Sequence, residues 1–266
     1  MDTIDRQKSS SMYQSLDPNK SPPHVEREPE DSLKDPYEYC TPIWLSIEKR
    51  IIDLIVSSCT LIIFLPVMIL IAIIIRLDSP GPAIFRQIRV GQNRRYKQWR
   101  KENGGERRRE DLHGYPFTFY KFRTMYVDAR QRWPDLYKYE YTPEEIETMR
   151  FKLMEDPRLT KVGEVLRRHT LDELPNFFNV LIGNMTLIGP RPDIPEMMKY
   201  YKPWQLQKFK VKPGVTGLSQ CDGRGFLTFQ ETLTRDVYYV QHQSLLFDLK
   251  IVLATIKHII TRYGAF

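Results

Sequence analysis

The stretch Arg167-Arg168-His169-Thr170-Leu171-Asp172-Glu173-Leu174-Pro175-Asn176-Phe177-Phe178-Asn179-Val180-Leu181-Ile182-Gly183-Asn184-Met185-Thr186-Leu187-Ile188-Gly189-Pro190-Arg191-Pro192 concentrates the chemistry of this chain. Two adjacent carboxylates, Asp172 and Glu173, stand between basic residues in sequence. Thr170, followed three residues later by Glu173, has the form of a capping box. Leu174, Phe177, Phe178 and Leu181 then recur at helical spacing, and Gly183 is a natural stop. Pro175 leaves two helix starts open. With Thr170 as N-cap, the proline falls past the first turn and forfeits a hydrogen bond. With Asp172 as N-cap, it falls inside the first turn, where its N–H is not missed. Either start puts the dyad at the positive end of a helix, which favours ionised carboxylates and phosphate. An Asp-Glu pair also occurs there for capping alone. The tail of the stretch favours chemistry: Pro190 and Pro192 stiffen the backbone on both sides of Arg191, and a stiffly held guanidinium suits phosphate.

Working outward, Asp156 to Arg168 reads as a helix, with Asp156-Pro157 at its N-cap and first position and Val162, Val165 and Leu166 on its apolar side. It delivers Arg167 five residues before Asp172. Helix, short turn, helix is also the outline of a DNA-reading module. Ala83 to Val90 and Pro116 to Met125 read as strands, the second carrying Lys121 and Arg123 among aromatics. Asn93 to Gly114 is a loop crowded with basic residues, suited to solvent or anionic headgroups. Asp128 to Glu155 is a polar, helical excursion. The aromatics and lysines of Tyr200 to Lys212 suit a membrane–water boundary. Glycine-bearing turns follow at Val211 to Leu218 and Asp222 to Gly225. Leu245 to Tyr263 is an amphipathic helix whose stripe of Leu245, Leu249, Val252, Leu253, Ile256, Ile259 and Ile260 is expected to pack mostly on the core.

Charge and hydropathy set the frame. The 266 residues carry a net charge of +7 and a pI near 9.2, which favours an anionic partner: phospholipid, nucleotide or nucleic acid. Three cysteines, Cys40, Cys59 and Cys221, show neither metal-ligand spacing nor an even count, which fits a reducing compartment. Residues 1–40 are too poor in apolar side chains to offset ordering entropy and are expected to be a disordered tail. No apolar run follows Met1, so no signal peptide is expected. Residues 41–76 form the membrane segment, with an apolar run from Ile51 to Ile75 interrupted by Pro66. A kinked spanning helix and a hairpin that enters and leaves on one face both accommodate the proline. Lys49 and Arg50 before the run, and Arg76, Arg86 and Arg89 after it, favour the hairpin, because positive flanks stay on the cytoplasmic side. Residues 77–266 are then the cytoplasmic catalytic domain, carrying interfacial amphipathic helices.

Taken together, Leu171-Asp172-Glu173-Leu174-Pro175-Asn176, Asn179 to Met185, Gly189-Pro190-Arg191-Pro192, Tyr120-Lys121-Phe122-Arg123-Thr124-Met125, Lys212-Pro213-Gly214-Val215-Thr216-Gly217 and Asp236-Val237-Tyr238-Tyr239-Val240 resemble the bacterial sugar transferase family, the monotopic polyprenyl-phosphate phosphoglycosyl transferases. The resemblance runs from about Lys49 to the last residue, and the terminal Gly264-Ala265-Phe266 resembles the usual end of the family, which implies a complete catalytic chain. It implies a mostly helical α+β fold with a few short strands and a re-entrant membrane helix broken at Pro66, where Leu65 replaces a serine of the best-known members. It makes Asp172 and Glu173 the catalytic pair and the ligands of Mg²⁺. Arg167, Arg191, Arg224, Lys121 and Arg123 become phosphate-binding residues, and Asp236 and Tyr239 further site residues. The implied donor is a nucleoside diphosphate sugar carrying UDP, and the acceptor polyprenyl phosphate. Asp172 would attack the phosphorus next to the sugar, release UMP and pass the phosphosugar to the lipid phosphate. The implied place is the cytoplasmic face of a bacterial inner membrane, in contact with its lipids and without nucleic acid; self-association is left open. Two rivals stand beside this reading: a membrane-tethered one-step transferase or hydrolase, and a non-enzymatic basic protein binding lipid or DNA.

Overall fold

The computed structural model describes residues 42–93, 113–150, 155–222 and 226–261. The expected tail 1–40, most of the basic loop 93–114, Arg224 and the terminal Gly264-Ala265-Phe266 lie outside the described residues. The fold is mostly helical with four short strands among the described residues.

A single helix, α1 (Ile43–Asp78), opens it. Its 36 residues extend roughly 54 Å at 1.5 Å per residue. It is long and apolar enough to cross a membrane. Pro66 lies inside α1 without ending it, so the expected break is not an interruption of the helix. The helix stops at Ser79-Pro80-Gly81-Pro82, where Gly81 takes a φ of +117° that side chains rarely adopt. Its middle faces outward: Ile62 is 74% and Ile63 68% exposed. Both ends are gripped. Near the start, Lys49 donates to Ile188 O (3.2 Å) and Tyr239 OH (2.6 Å) and pairs with Asp248 at 2.8 Å. Arg50 donates to Val180 O and Leu181 O at 2.6 and 2.8 Å. Near the end, Ile71 and Ile75 pack with Phe122 and Leu166, each such buried side chain contributing about 2 kcal/mol.

Strands β1 (Ile84–Val90) and β2 (Pro116–Phe122) form an antiparallel pair with Ile84 opposite Phe122 and Val90 opposite Pro116. Short helices α2 (Ala129–Arg132) and α3 (Pro143–Thr148) follow, α3 begun by a Thr142/Glu145 capping box. Helix α4 (Lys161–Arg168) starts later than expected. Thr160, not Asp156, is its N-cap and accepts from Gly163 N at 2.9 Å; Asp156 instead binds Arg158 in the preceding turn. A 3₁₀ turn, Leu171–Glu173, carries the dyad, and α5 (Asn176–Leu181) begins only after Pro175. Strands β3 (Thr186–Ile188) and β4 (Gly214–Thr216) pair in parallel, with Thr186 opposite Gly214. Helices α6 (Leu218–Cys221), α7 (Phe229–His242) and α8 (Leu245–Thr261) complete the chain.

Two expectations are corrected here. Tyr200 to Lys212 is not a boundary segment: its 3₁₀ turn Pro203–Lys210 buries Gln205, Lys208 and Phe209 in the interior. Conversely, most of the α8 stripe does not pack on the core. Asp248, Ile251 and His258 face inward, while Leu249, Leu253, Ile256, Ile259 and Ile260 are exposed.

Candidate active site

The dyad sits on a turn that neither expected cap predicts. Thr170 adopts φ 60°, in the left-handed region, and its side chain caps nothing. That conformation is unusual for a β-branched residue, and it ends α4 and redirects the chain into Leu171–Glu173. Asp172 is 7% exposed. Glu173 is 22% exposed at its side chain and lies 3.7 Å from the Arg191 guanidinium.

Helix α4 brings Arg167 to the dyad by a close approach to the chain just after β2. Gly163 lies against the backbone of Thr124: a Cβ there would sit 2.0 Å from Thr124 O. Thr160 N also donates to that carbonyl at 3.0 Å. Lys121 stands three residues back on β2. It lies within electrostatic reach of Asp172, Arg167, Arg89 and Arg191. Burial of its ammonium pushes its pKa down to about 8; Asp172 works to raise it, while the three arginines add to the fall. Arg167 bonds Asp156 at 3.4 Å. Burial works to raise the Asp156 carboxyl, but its bonds from Arg158 hold it below the usual range.

Arg191 is fixed by its neighbours' backbone. Gly189 N donates to Thr216 O (3.0 Å), Gly214 N to Pro190 O (2.9 Å), and Val90 N to Asp193 O (2.8 Å). Gly214 permits this: a Cβ there would lie 2.1 Å from Gly189 N. The stiffness expected from the two prolines is thus supplemented by strands on both sides. The Arg191 side chain is 43% exposed and lines a small cavity of about 10 Å³, room for about one water, together with Arg89, Phe119, Glu173, Pro192, Gly214, Val215 and Gln220.

Not every expected residue joins this group. Arg123 is buried at the end of α1, where its guanidinium donates to Ser79 O at 2.6 Å, Ile75 O at 3.3 Å and Pro80 O. It is spent on the helix's terminal carbonyls rather than facing the dyad. Asp236 is fully buried, accepting from Ser219 Oγ at 2.7 Å and pairing with Lys208 at 2.9 Å. Tyr239 OH donates to Asp248 Oδ1 at 2.6 Å and lies 3.0 Å from Ile188 O, beneath Lys49. Both residues build the interior and the seat of α1. The DNA-reader outline is absent too: α5 is six residues long and buries Asn176, Asn179 and Val180.

Arg89 was read only as a basic flank of the membrane run, yet it lines the cavity. Directly paired residues share a face of a sheet. The register places Lys121 opposite Phe85 and Phe119 opposite Gln87, so Arg89 shares the Lys121 face. Counting strand alternation from Lys121 would have found it.

Among the described residues, no group of three or more His, Cys, Asp or Glu could hold a metal. Mg²⁺ commonly uses one or two carboxylates with water and substrate phosphate, so Asp172 and Glu173 fit it as a donor set.

A carboxylate pair with cations in reach, beside a helix long and apolar enough to cross a membrane, has the make-up of an anion-handling site. Comparison with known proteins gives this class a family. The Bacterial sugar transferase family matches residues 44–103 and 104–262, and the chain belongs to it. It is 39% identical over 220 residues to a galactosyl transferase, CpsE, of Streptococcus agalactiae, covering 82% of this chain and 43% of that one. It is 34% identical over 238 residues to an undecaprenyl-phosphate glucose phosphotransferase of Komagataeibacter xylinus, covering 84% of this chain and 38% of that one. A UDP-glucose:undecaprenyl-phosphate glucose-1-phosphate transferase of Caulobacter vibrioides is 34% identical over 230 residues, covering 84% and 73%. The chain therefore spans less than half of the first two relatives and most of the third.

Proposed function

We propose that this chain transfers a phosphosugar from a UDP-sugar to polyprenyl phosphate, giving polyprenyl-diphosphate-sugar and UMP through a covalent intermediate on Asp172. The observation that carries the reading is the cluster of cations at the dyad: Arg191 beside Glu173, Arg89 in the same cavity, and Lys121 within electrostatic reach of Asp172, Arg167 and both arginines. Cations in excess over carboxylates suit a diphosphate, and an adjacent carboxylate is a competent nucleophile at phosphorus. Related chains with undecaprenyl-phosphate transferase names support the substrate pair.

In the first step, an Asp172 carboxylate oxygen bonds to the phosphorus next to the sugar, and the bridging P–O bond breaks toward UMP. In the second, an oxygen of the lipid phosphate attacks the same phosphorus and Asp172 leaves. Arg167, Lys121 and Arg191 orient the phosphate oxygens, and Glu173 holds Arg191 in register with the dyad. Asp172 and Glu173 would hold Mg²⁺, which when bound screens the diphosphate charge from the attacking carboxylate. Arg224, outside the described residues, is a further proposed phosphate contact.

The acceptor's lipid tail sets where the site must lie. A helix that crosses a bilayer leaves one end on each side. Here residues 49–53 and 71–79 both engage the same domain, which supports a re-entrant α1 entering and leaving on one face. Flanking cations favour the cytoplasmic face of the inner membrane. The exposed apolar stripe of α8, bonded to α1 through Asp248 and Lys49, supports a second contact with the interface. UMP release from a panel of UDP-sugars with Mg²⁺, with and without polyprenyl phosphate, tests the reading. A stoichiometric burst without acceptor is the expected result. Release that requires the acceptor would replace the covalent route with direct transfer, and no release from any UDP-sugar would reject the donor.

A further inference from the structure

Arg89 is held in an unusual way for a buried cation. Its Nη1 donates to Pro192 O at 3.1 Å and its Nη2 to Gln87 Oε1 at 2.8 Å. The guanidinium lies over the Phe119 ring at 5.4 Å. Its Nε is buried with no hydrogen-bond partner among the described residues. A buried charged donor without a partner is costly, and a second guanidinium, Arg191, shares its cavity. Burial and then Arg191 lower the Arg89 pKa to about 10, against Asp193, Tyr139 and Glu173, which raise it. Two like charges around one cavity, one with an unspent N–H, are relieved by an anion placed between them.

The cations also divide by carboxylate. Asp172 acts on Lys121, whereas Arg89 and Arg191 share their cavity with Glu173. The proposed reaction needs such a division. When the Asp172 oxygen bonds to the sugar-bearing phosphorus, the bridging oxygen keeps the electron pair of the broken P–O bond. The departing nucleoside monophosphate thereby gains a negative charge, on the side away from Asp172. The same cavity is lined by Gly214, Val215 and Gln220, whose Oε1 is also buried with no hydrogen-bond partner among the described residues.

We propose that Arg89, together with Arg191, binds the phosphate of the leaving nucleoside monophosphate. This rests on the phosphosugar transfer proposed above and assigns the leaving end of the donor within that site. The test measures UMP affinity of the full chain in detergent or nanodiscs, by direct binding and by product inhibition. Arg89→Gln weakens UMP binding by about tenfold or more, as expected for a lost charge-assisted bond, while Arg168→Gln, at an exposed position paired with Glu164, binds UMP like wild type. Arg89→Lys, which keeps the charge but not the forked donors, falls between them and serves if Arg89→Gln does not fold. Unchanged UMP affinity in a folded Arg89→Gln or Arg89→Lys protein overturns the role of Arg89 and leaves the reaction standing. A wild-type protein that neither binds UMP nor is inhibited by it contradicts the reaction itself, and this assignment with it.

Discussion

Two groups of acids and bases meet at the segment Gly189–Asp193, and their cations are used differently. Behind it, Lys208 is buried between Asp193 and Asp236, with Tyr201 donating to Asp193 and Ser219 to Asp236. Burial pushes the Asp236 carboxyl up; the Asp193 carboxyl, also opposed by burial, is held below the usual range by Lys208 and Tyr201. In front of it, Arg89, Arg191 and Glu173 line a small cavity, and Lys121 stands within electrostatic reach of Asp172, Arg167 and both of those arginines. The rear group is closed on itself and can only build; the front group has charge left over and can bind. Residue type does not separate them, since both are made of Asp, Lys and Arg beside one stiff loop. What separates them is burial and balance: the rear group is buried, its lysine paired with both carboxylates, while the front group holds more cations than carboxylates and is partly exposed at Arg191.

Substitution should break this contrast in opposite ways. Asp172→Asn is expected to lower turnover by about a thousandfold or more with an unchanged melting temperature. A large loss of stability would move Asp172 into the building group. Lys208→Met should do the reverse. It leaves two buried carboxylates without their cation and should cost about 3–5 kcal/mol, read by chemical denaturation. A Lys208→Met protein as stable as wild type would show that the rear group is not structural. Gly163→Ala tests the joint between helix and strand. Its Cβ meets Thr124 O, so the cost should be about 1–3 kcal/mol, with a raised donor KM as Arg167 is displaced from Lys121.

The smallest effect concerns protons. Lys121 has a pKa lowered to about 8 from 10.5, in reach of Asp172, Arg167, Arg89 and Arg191. A phosphate grip needs its ammonium. The free enzyme holds that charge below about 8 and loses it above, so kcat/KM for the donor should fall as pH rises through about 8. Lys121→Arg should flatten this alkaline limb. In stability the sign is opposite. Between about 8 and 10.5 the unfolded chain binds more protons at this position, so Lys121 alone makes stability rise with pH there. An alkaline limb that persists in Lys121→Arg would assign the titration elsewhere.

Much of this could be read from the chain. The apolar run that became α1, the paired strands at Ile84–Val90 and Pro116–Phe122, and the stiffness around Arg191 all follow from local composition. Where the structure departs from that reading at charged residues, the cause is that a charge's role is set by long-range partners, which spacing does not encode. Arg123 follows Lys121 by two residues, yet it bonds carbonyls more than forty residues away in sequence. Asp236 and Tyr239 sit in motif and in the interior at once. The α8 stripe was assigned to the core because an amphipathic pattern shows that one face differs from the other, not which medium covers it. The dyad's turn was misread because Thr170 takes a left-handed conformation that residue type disfavours.

The central claim is that Asp172 carries the phosphosugar, and intact-protein mass spectrometry addresses it most directly. The full chain is incubated with a turned-over UDP-sugar and Mg²⁺ in the absence of polyprenyl phosphate, then denatured in acid. The account predicts a mass increase of one phosphosugar, mapped to the peptide holding Asp172, absent in Asp172→Asn and discharged when polyprenyl phosphate is added. A protein that turns over with acceptor but never gains that mass, or gains it equally as Asp172→Asn, would contradict it.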